Sequence, residues 1–306
     1  ALACGLRGVN LRLAVQGERW IGGPIDAHGK PRASAEFWKR LFSALERTRF
    51  HELTRRTPVH VIVPRSFERL VRVCQTLAPI DASVADDRAP EPLASALGGD
   101  LDPSQGALLH TARFLRTVED ALERSRVSYA TIGADAFHQG LEGSHYTIVA
   151  CPGALAPEFT AAIADRVLRS QPVSVGPRAP ERDDQMRPSG VRLPTLAHPV
   201  VPLLLPSEPT HLNDVLDATL SARGVPRLPA EPAAIRTMLH HAPDGRPAVL
   251  FVLNDTDAHL DATVGAHGAR GGEDALSGER FPAVNERIAL RMPPRSARFL
   301  ELAESW

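Results

Sequence analysis

The sequence is poor in the residues that most often announce a function. It holds 3 cysteines, Cys4, Cys74 and Cys151. An odd number at wide spacing is neither a disulfide framework nor a zinc pattern, so they read as small core residues of a cytoplasmic protein in a reducing compartment. Aromatic residues make up only 5%, which argues against a broad stacking surface for single-stranded nucleic acid. Charge of one sign is missing too. The net charge of -1 gives no electrostatic reason to bind nucleic acid or an anionic membrane. No apolar run approaches the ~20 residues that cross a bilayer, and the longest, Val200 to Leu205, is broken by Pro202. Glycine-rich phosphate loops are absent after strand-like runs, and there is no internal repeat of solenoid period. Nothing calls for a cofactor or a metal. The first residue is Ala1 rather than Met and no signal peptide is visible in the sequence, so a processed or partial chain is expected.

What is present is ordinary globular sequence. Hydrophobic residues at 43% and charged ones at 23% suit a packed core, and 306 residues allow two or three domains. Val9, Leu11, Leu13 and Val15 alternate as a half-buried strand within Gly5 to Val15. Ser34 is placed to cap a helix carrying Phe37, Leu41 and Leu45 at helical spacing. From Pro58 the pattern alternates: strands at Val59 to Val63, Val127 to Ile132, Tyr146 to Cys151 and Val173 to Val175 are separated by helical segments. That order predicts a parallel sheet covered on both faces, a doubly wound α/β domain with any ligand at the carboxyl ends of its strands. Those ends are Pro64-Arg65, Gly133 to Asp135, Cys151 to Gly153 and Gly176 to Arg178. After a Pro-rich connector and a short helix around Leu212 to Leu220, short strands return at Ala248 to Leu253, His259 to Val264, Arg287 to Leu290 and Ala297 to Leu302. Turn residues, Gly271-Gly272 among them, separate these, and they read as a small antiparallel β-domain.

Few residue constellations carry chemistry. Cys151 follows a buried strand like the nucleophile of a cysteine amidotransferase. Such an elbow needs small residues on both sides and a backbone N–H after the nucleophile. Val149 and Pro152 break both requirements, so Cys151 is a structural thiol. The pair His240-His241 points to opposite sides of a strand, which disfavours shared metal ligation. Asp86-Asp87 and Asp183-Asp184 lie in Pro-rich loops as solvated charges. No catalytic residue is assigned. The first segment differs: Asn10, Arg12, Glu18, Arg19 and Trp20 gather amide, guanidinium, carboxylate and indole groups, the equipment for binding a sugar. The same residues also fit a Trp packed at a domain edge among ordinary surface charges.

The order of segments resembles the bacterial β-galactosidase-type glycoside hydrolases of family 35 and the related family 42. Gly8-Val9-Asn10-Leu11 with Arg19-Trp20, Pro24-Ile25-Asp26 and Gly29 is similar to the last strand and exit loop of their barrel. Val59 to Arg65 resembles the first strand of their flavodoxin-like middle domain, and Val175 to Arg178 with Pro180 and Asp183 a loop near its end. Phe251-Val252-Leu253-Asn254-Asp255-Thr256 and Asp274-Ala275-Leu276-Ser277-Gly278 resemble turns of their C-terminal β-domain. Arg12, Leu13 and Ala275 depart from that pattern. The resemblance implies a remnant strand and helix of a (β/α)8 barrel at 1–57, a flavodoxin-like domain at 58–190, a connector at 191–230 and the antiparallel β-domain at 231–306. It further implies a galactoside-type sugar as ligand, catalytic glutamates outside this chain, and a homo-oligomer through the flavodoxin-like domain. The competing expectation is a non-catalytic α/β binding or assembly module with an attached β-domain.

Overall fold

A computed structural model of the chain describes residues 1–7, 15, 23–64, 103–133, 136–141, 144–183, 185, 187–193 and 201–303. In chain order the described elements begin with a 3-10 turn Leu2–Cys4, helix α1 (Ala33–Arg47), a second 3-10 turn Phe50–Glu52, and strands β1 (Thr54–Arg55) and β2 (Val59–Val63). Helix α2 (Pro103–Arg124), β3 (Tyr129–Gly133), α3 (Phe137–Leu141), β4 (Tyr146–Cys151), α4 (Pro157–Leu168), β5 (Val173–Pro177) and α5 (Pro209–Ala222) follow. The rest is strand: β6 (Ala230–Glu231), β7 (Ile235–His241), β8 (Pro247–Asn254), β9 (Leu260–Gly265), β10 (Gly271–Asp274), β11 (Arg280–Val284), β12 (Arg287–Met292) and β13 (Ser296–Ala303). They fall into two compact units, one of Thr57–Arg227 and one of Ala1–Arg56 with Leu228–Trp306.

In the first unit β2 to β5 form a four-stranded parallel sheet in the order β3-β2-β4-β5. Every residue of β4 is buried, as a strand covered on both faces requires. On one face Phe114, Val118 and Leu122 of α2 and Leu212, Leu216 and Leu220 of α5 pack on Val59, Val61, Tyr146 and Ile148. The four-residue spacing lines these side chains along one stripe of each helix, and burying each contributes about 1.5–3 kcal/mol. On the other face Phe137 and Leu141 of α3 and Ile163 of α4 meet Ile62, Val149, Cys151 and Val175. The buried Tyr146 hydroxyl donates to Ser174 Oγ at 2.7 Å, and Ser174 donates to the Pro202 carbonyl at 2.5 Å. That relay pairs both of these buried hydroxyls.

In the second unit nine strands form one antiparallel sheet, ordered β1-β7-β8-β13-β10-β11-β12-β9-β6. Residues alternate between its faces with the period of two that a pleat imposes. Leu250 and Val252 of β8 share a core with Val264 of β9, Ile288 and Leu290 of β12 and Leu300 of β13. Strands distant in the sheet order thus bury one common core, which requires the sheet to curl into a half-barrel. The alternate residues Val249 and Phe251, with Phe299, face outward against Leu41 and Ala44 of α1 and against Phe50 and Leu53. Phe251 and Phe299 stack at 4.9 Å, and Phe50 meets both edge-on.

This architecture corrects the fold class expected from sequence. A flavodoxin-like doubly wound domain was to dominate, with a barrel remnant before it and a small β-domain behind. The dominant element is instead the nine-stranded antiparallel half-barrel, and the parallel sheet is the smaller one. The error has a physical source. Doubly buried parallel strands are continuous apolar runs and are conspicuous in sequence, whereas β1, β6 and β10 are short edge or glycine-bearing strands with little signal. The expected barrel helix is α1, whose apolar stripe is buried on the half-barrel sheet. Thr54 and Arg55 likewise join that sheet, pairing with His241 and His240. Gly271-Gly272, expected as a turn, is the start of β10. A Cβ on Gly272 would come within 3.2 Å of Leu300 Cβ, so the glycine makes room for a neighbouring core side chain. Ser34 does not cap α1; the N-cap is Arg32, with no side-chain bond, and tertiary packing holds the helix. The helix expected after Ser66, and residues 8–14 of the strand expected over Gly5 to Val15, lie outside the described residues.

Candidate functional site

All five residues expected to bind a sugar, Asn10, Arg12, Glu18, Arg19 and Trp20, lie outside the described residues. Each unit carries a cleft among its described residues.

In the parallel-sheet unit a cleft of about 620 Å³ opens at the amino ends of β4 and β5, lined by His138, His145, Asp165, Arg166, Arg169 and Arg223 among others. Helices α3, α4 and α5 all end here, so carbonyl-rich, partially negative helix termini converge on it. Arg166 in the last turn of α4, Arg169 at its C-cap and Arg223 just past α5 offset those carbonyls. Arg169 also pairs with Asp165 at 3.0 Å. The basic lining is accounted for by the helix ends.

The carboxyl ends of the same strands behave differently. Cys151 is fully buried, accepts a long bond from the Gly153 N–H at 3.4 Å, and is pushed up to about 12 by burial. A thiol so held is not a nucleophile. Above it Arg178 leaves β5 with its N–H on the Cys151 carbonyl and its Cδ 3.6 Å from where a Gly153 Cβ would lie. Phe114 of α2 packs directly against Gly176, so His110, one turn earlier on α2, stands over the same strand ends. Burial holds the His110 pKa below its ordinary value, and the charges of Arg178 and Arg113 depress it further. Glu119, farther along α2, has its pKa raised by burial above all, against the bond it accepts from Thr131 Oγ1 at 3.3 Å. It lines none of the clefts described here.

In the half-barrel unit a cleft of about 400 Å³ is lined by Arg47, Arg49, Glu52, Asp244, Arg246 and Glu301 over apolar residues such as Val249. Each carboxylate in it is engaged by its own arginine: Glu301 by Arg47 at 3.1 Å, Glu52 by Arg49, and Asp244 by Arg246 at 3.6 Å. Retaining hydrolysis of a glycoside needs two carboxyl groups ~5–5.5 Å apart and open to substrate. These three are bound up in exposed ion pairs instead. His240 is buried in ring contact with Phe50 and Phe251 and bonds the Ala3 carbonyl at 3.1 Å. Among the described residues no group of three or more His, Cys, Asp or Glu side chains is arranged to hold a metal.

The two β-domain motifs prove to be structural corners. Asn254, 1% exposed, donates to the Ala258 and Pro293 carbonyls at 2.8 and 2.7 Å while its oxygen accepts from Thr256. It ties the β8–β9 turn to the β12–β13 turn. Asp274, 4% exposed, accepts from the Leu276 N–H at 3.1 Å and from Arg298 at 2.8 Å, and Gly278 closes that turn in the left-handed region.

The chain matches no family model and no curated protein. It does match solved structures. Gan42B, a GH42 β-galactosidase from G. stearothermophilus, aligns with 92% of this chain and 46% of its own, at TM-score 0.56 and 9% identity. A β-galactosidase from Bacillus circulans sp. alkalophilus aligns over 92% and 47%, at TM-score 0.54 and 13% identity. One from Rahnella sp. R3 aligns over 94% and 48%, at TM-score 0.54 and 12% identity. The chain spans about half the length of these enzymes. Its fold is glycoside hydrolase-like, of the kind seen in the GH42 β-galactosidases.

Proposed function

We propose that this chain is the C-terminal part of a β-galactosidase-type glycoside hydrolase of the family 35 and 42 kind. In this reading Asn10, Arg12, Glu18, Arg19 and Trp20 form the rim of a galactoside site, and the catalytic glutamates lie outside the chain. The two units serve as accessory parts, and the parallel-sheet unit joins copies into a homo-oligomer. The observation that carries the reading is the alignment of nearly the whole chain with about half of each β-galactosidase. The arginine-bound state of every carboxylate in the half-barrel cleft supports its non-catalytic part. The test is made on the purified chain. No turnover of nitrophenyl galactoside is expected, together with galactose-dependent tryptophan fluorescence that Trp20→Ala abolishes. Turnover that persists in Glu18→Gln would show that the hydrolytic carboxylates lie within the chain. Absence of any galactose response would remove the rim assignment. Light scattering at the mass of a monomer would remove the oligomer.

A further inference from the structure

We propose that the N-terminal segment is fastened to β7 by an acid-sensitive latch, in which His240 and His241 hold residues 1–5 and 50–56 at neutral pH and release them when protonated. The device lies wholly within the half-barrel unit and is independent of the glycosidase reading. Three separate pieces of the segment converge on these two adjacent histidines. Ala3, in the 3-10 turn Leu2–Cys4, accepts a bond from His240 Nε2 at 3.1 Å. Phe50 lies against the His240 ring at 5.1 Å between centroids. Strand β1 runs antiparallel to β7, with Arg55 opposite His240 and Thr54 opposite His241.

His240 is 1% exposed, and the groups that enclose its ring come from two sources. Phe251, 5.5 Å away, belongs to β8 and stays with the sheet. Phe50 and Ala3 belong to the segment. Lifting the segment therefore lets water reach the ring, and a hydrated imidazole takes up a proton more readily than a buried one. The reverse coupling makes the latch, since a charge placed on the enclosed ring is relieved when the segment leaves. Successive residues of a strand face opposite ways, so His241 stands on the other face of the same ladder. Among the described residues, the charged and titratable groups that bear on the pair are Arg55 on His240, and Arg56 and His267 on His241. Arg55 and Arg56 belong to the segment, so protonation sets like charges across the very contact that holds it. From the other side β8 places the uncharged Val249 and Pro247 opposite the two histidines.

The contact is also the place where the sheet resists least. β1 is two residues long and lies at the end of the sheet order, whereas β8 and β13 lie within it. Short edge segments open locally at a small fraction of the cost of central strands. Burial is the first cause that lowers the pKa of both histidines; the cationic neighbours add to it, and the backbone bonds to Ala3 and Thr54 partly offset it. A depressed histidine contributes its stability above the free value near 6.5 and loses it as the pH falls from there. Each proton gained on opening raises the opening equilibrium by up to about tenfold per pH unit in that window.

The test is amide hydrogen exchange on the full chain between about pH 7.5 and about pH 5, corrected for the intrinsic pH dependence of exchange. Protection in peptides spanning residues 50–56 should fall roughly tenfold or more, while β8 and β13 keep theirs. The drop should largely disappear in His240→Gln/His241→Gln, where the glutamine at 240 retains a donor for the Ala3 carbonyl but takes no proton. Variants that loosen the segment at every pH are guarded against by a measurement on the unaltered chain, the NMR titration of the His240 imidazole. Its midpoint should coincide with the loss of protection at 50–56. Protection there that ignores pH, an equal loss in β8 and β13, a drop undiminished in the double variant, or a His240 that titrates while 50–56 stays protected would each overturn the proposal.

Discussion

Asn254 shows how much a single buried amide does in a β-structure. Its side chain makes three of its bonds to backbone or hydroxyl groups in two different turns, and 1% exposure leaves no water to replace them. Asn254→Ala strands two carbonyl acceptors and should cost about 1–3 kcal/mol. The urea midpoint should fall with the slope unchanged; a midpoint within error of the parent would show that water satisfies the two turns. Cys151 makes a similar point in reverse. The residue that looked most like a nucleophile is packed with Ile62, Val149 and Ile163, and the sequence objection from Val149 and Pro152 agrees with its raised pKa. Arg178, just past the next strand of the sheet, was visible only as the last residue of a strand end.

At the scale of elements, β7 carries the histidines whose burial links stability to pH. Burial is the first cause of the lowered pKa of His240, which Arg55 deepens and the bond to the Ala3 carbonyl partly offsets. Burial likewise leads for His241, followed by Arg56, His267 and His240, and acts alone on His267. A histidine with a lower pKa when folded binds its proton more readily when unfolded. Its contribution is therefore complete above the unfolded value near 6.5 and is lost as the pH falls from there toward the folded values. The urea midpoint should decline between pH 7 and pH 5, and the decline should flatten in His240→Gln. A midpoint that rises on acidification contradicts this sign. The strands β8, β9, β12 and β13 and the helices α2, α4 and α5 were legible in sequence because each has an uninterrupted period. β1, β6 and β10 were not, because two residues beside a turn, or a pair of glycines, carry no period to read.

For the whole molecule the deciding fact is that the half-barrel unit is discontinuous. Residues 1–56 and 228–306 build it, with the parallel-sheet unit between them in the chain. The two units have separate cores, and a substitution in one core tests that division. Gly176→Ala puts a methyl group 2.5 Å from Phe114 Cζ and should cost about 1–3 kcal/mol by overpacking. Hydrogen exchange should accelerate most in β2, β4 and β5 and in α2. A larger gain in β8 and β13 than in those elements would mean that the cores are not divided as described.

The sequence alone determined the local elements and their chemistry: buried apolar runs became β2 and β4, apolar stripes became α2 and α5, and Pro152 excluded a nucleophile. The half-barrel was decided only in three dimensions. β1 pairs with β7 across the whole parallel-sheet unit, and α1 spends its apolar stripe on β8 and β13. A stripe or an edge states that it needs a partner without stating which, because the hydrophobic effect has no direction and no memory of sequence distance.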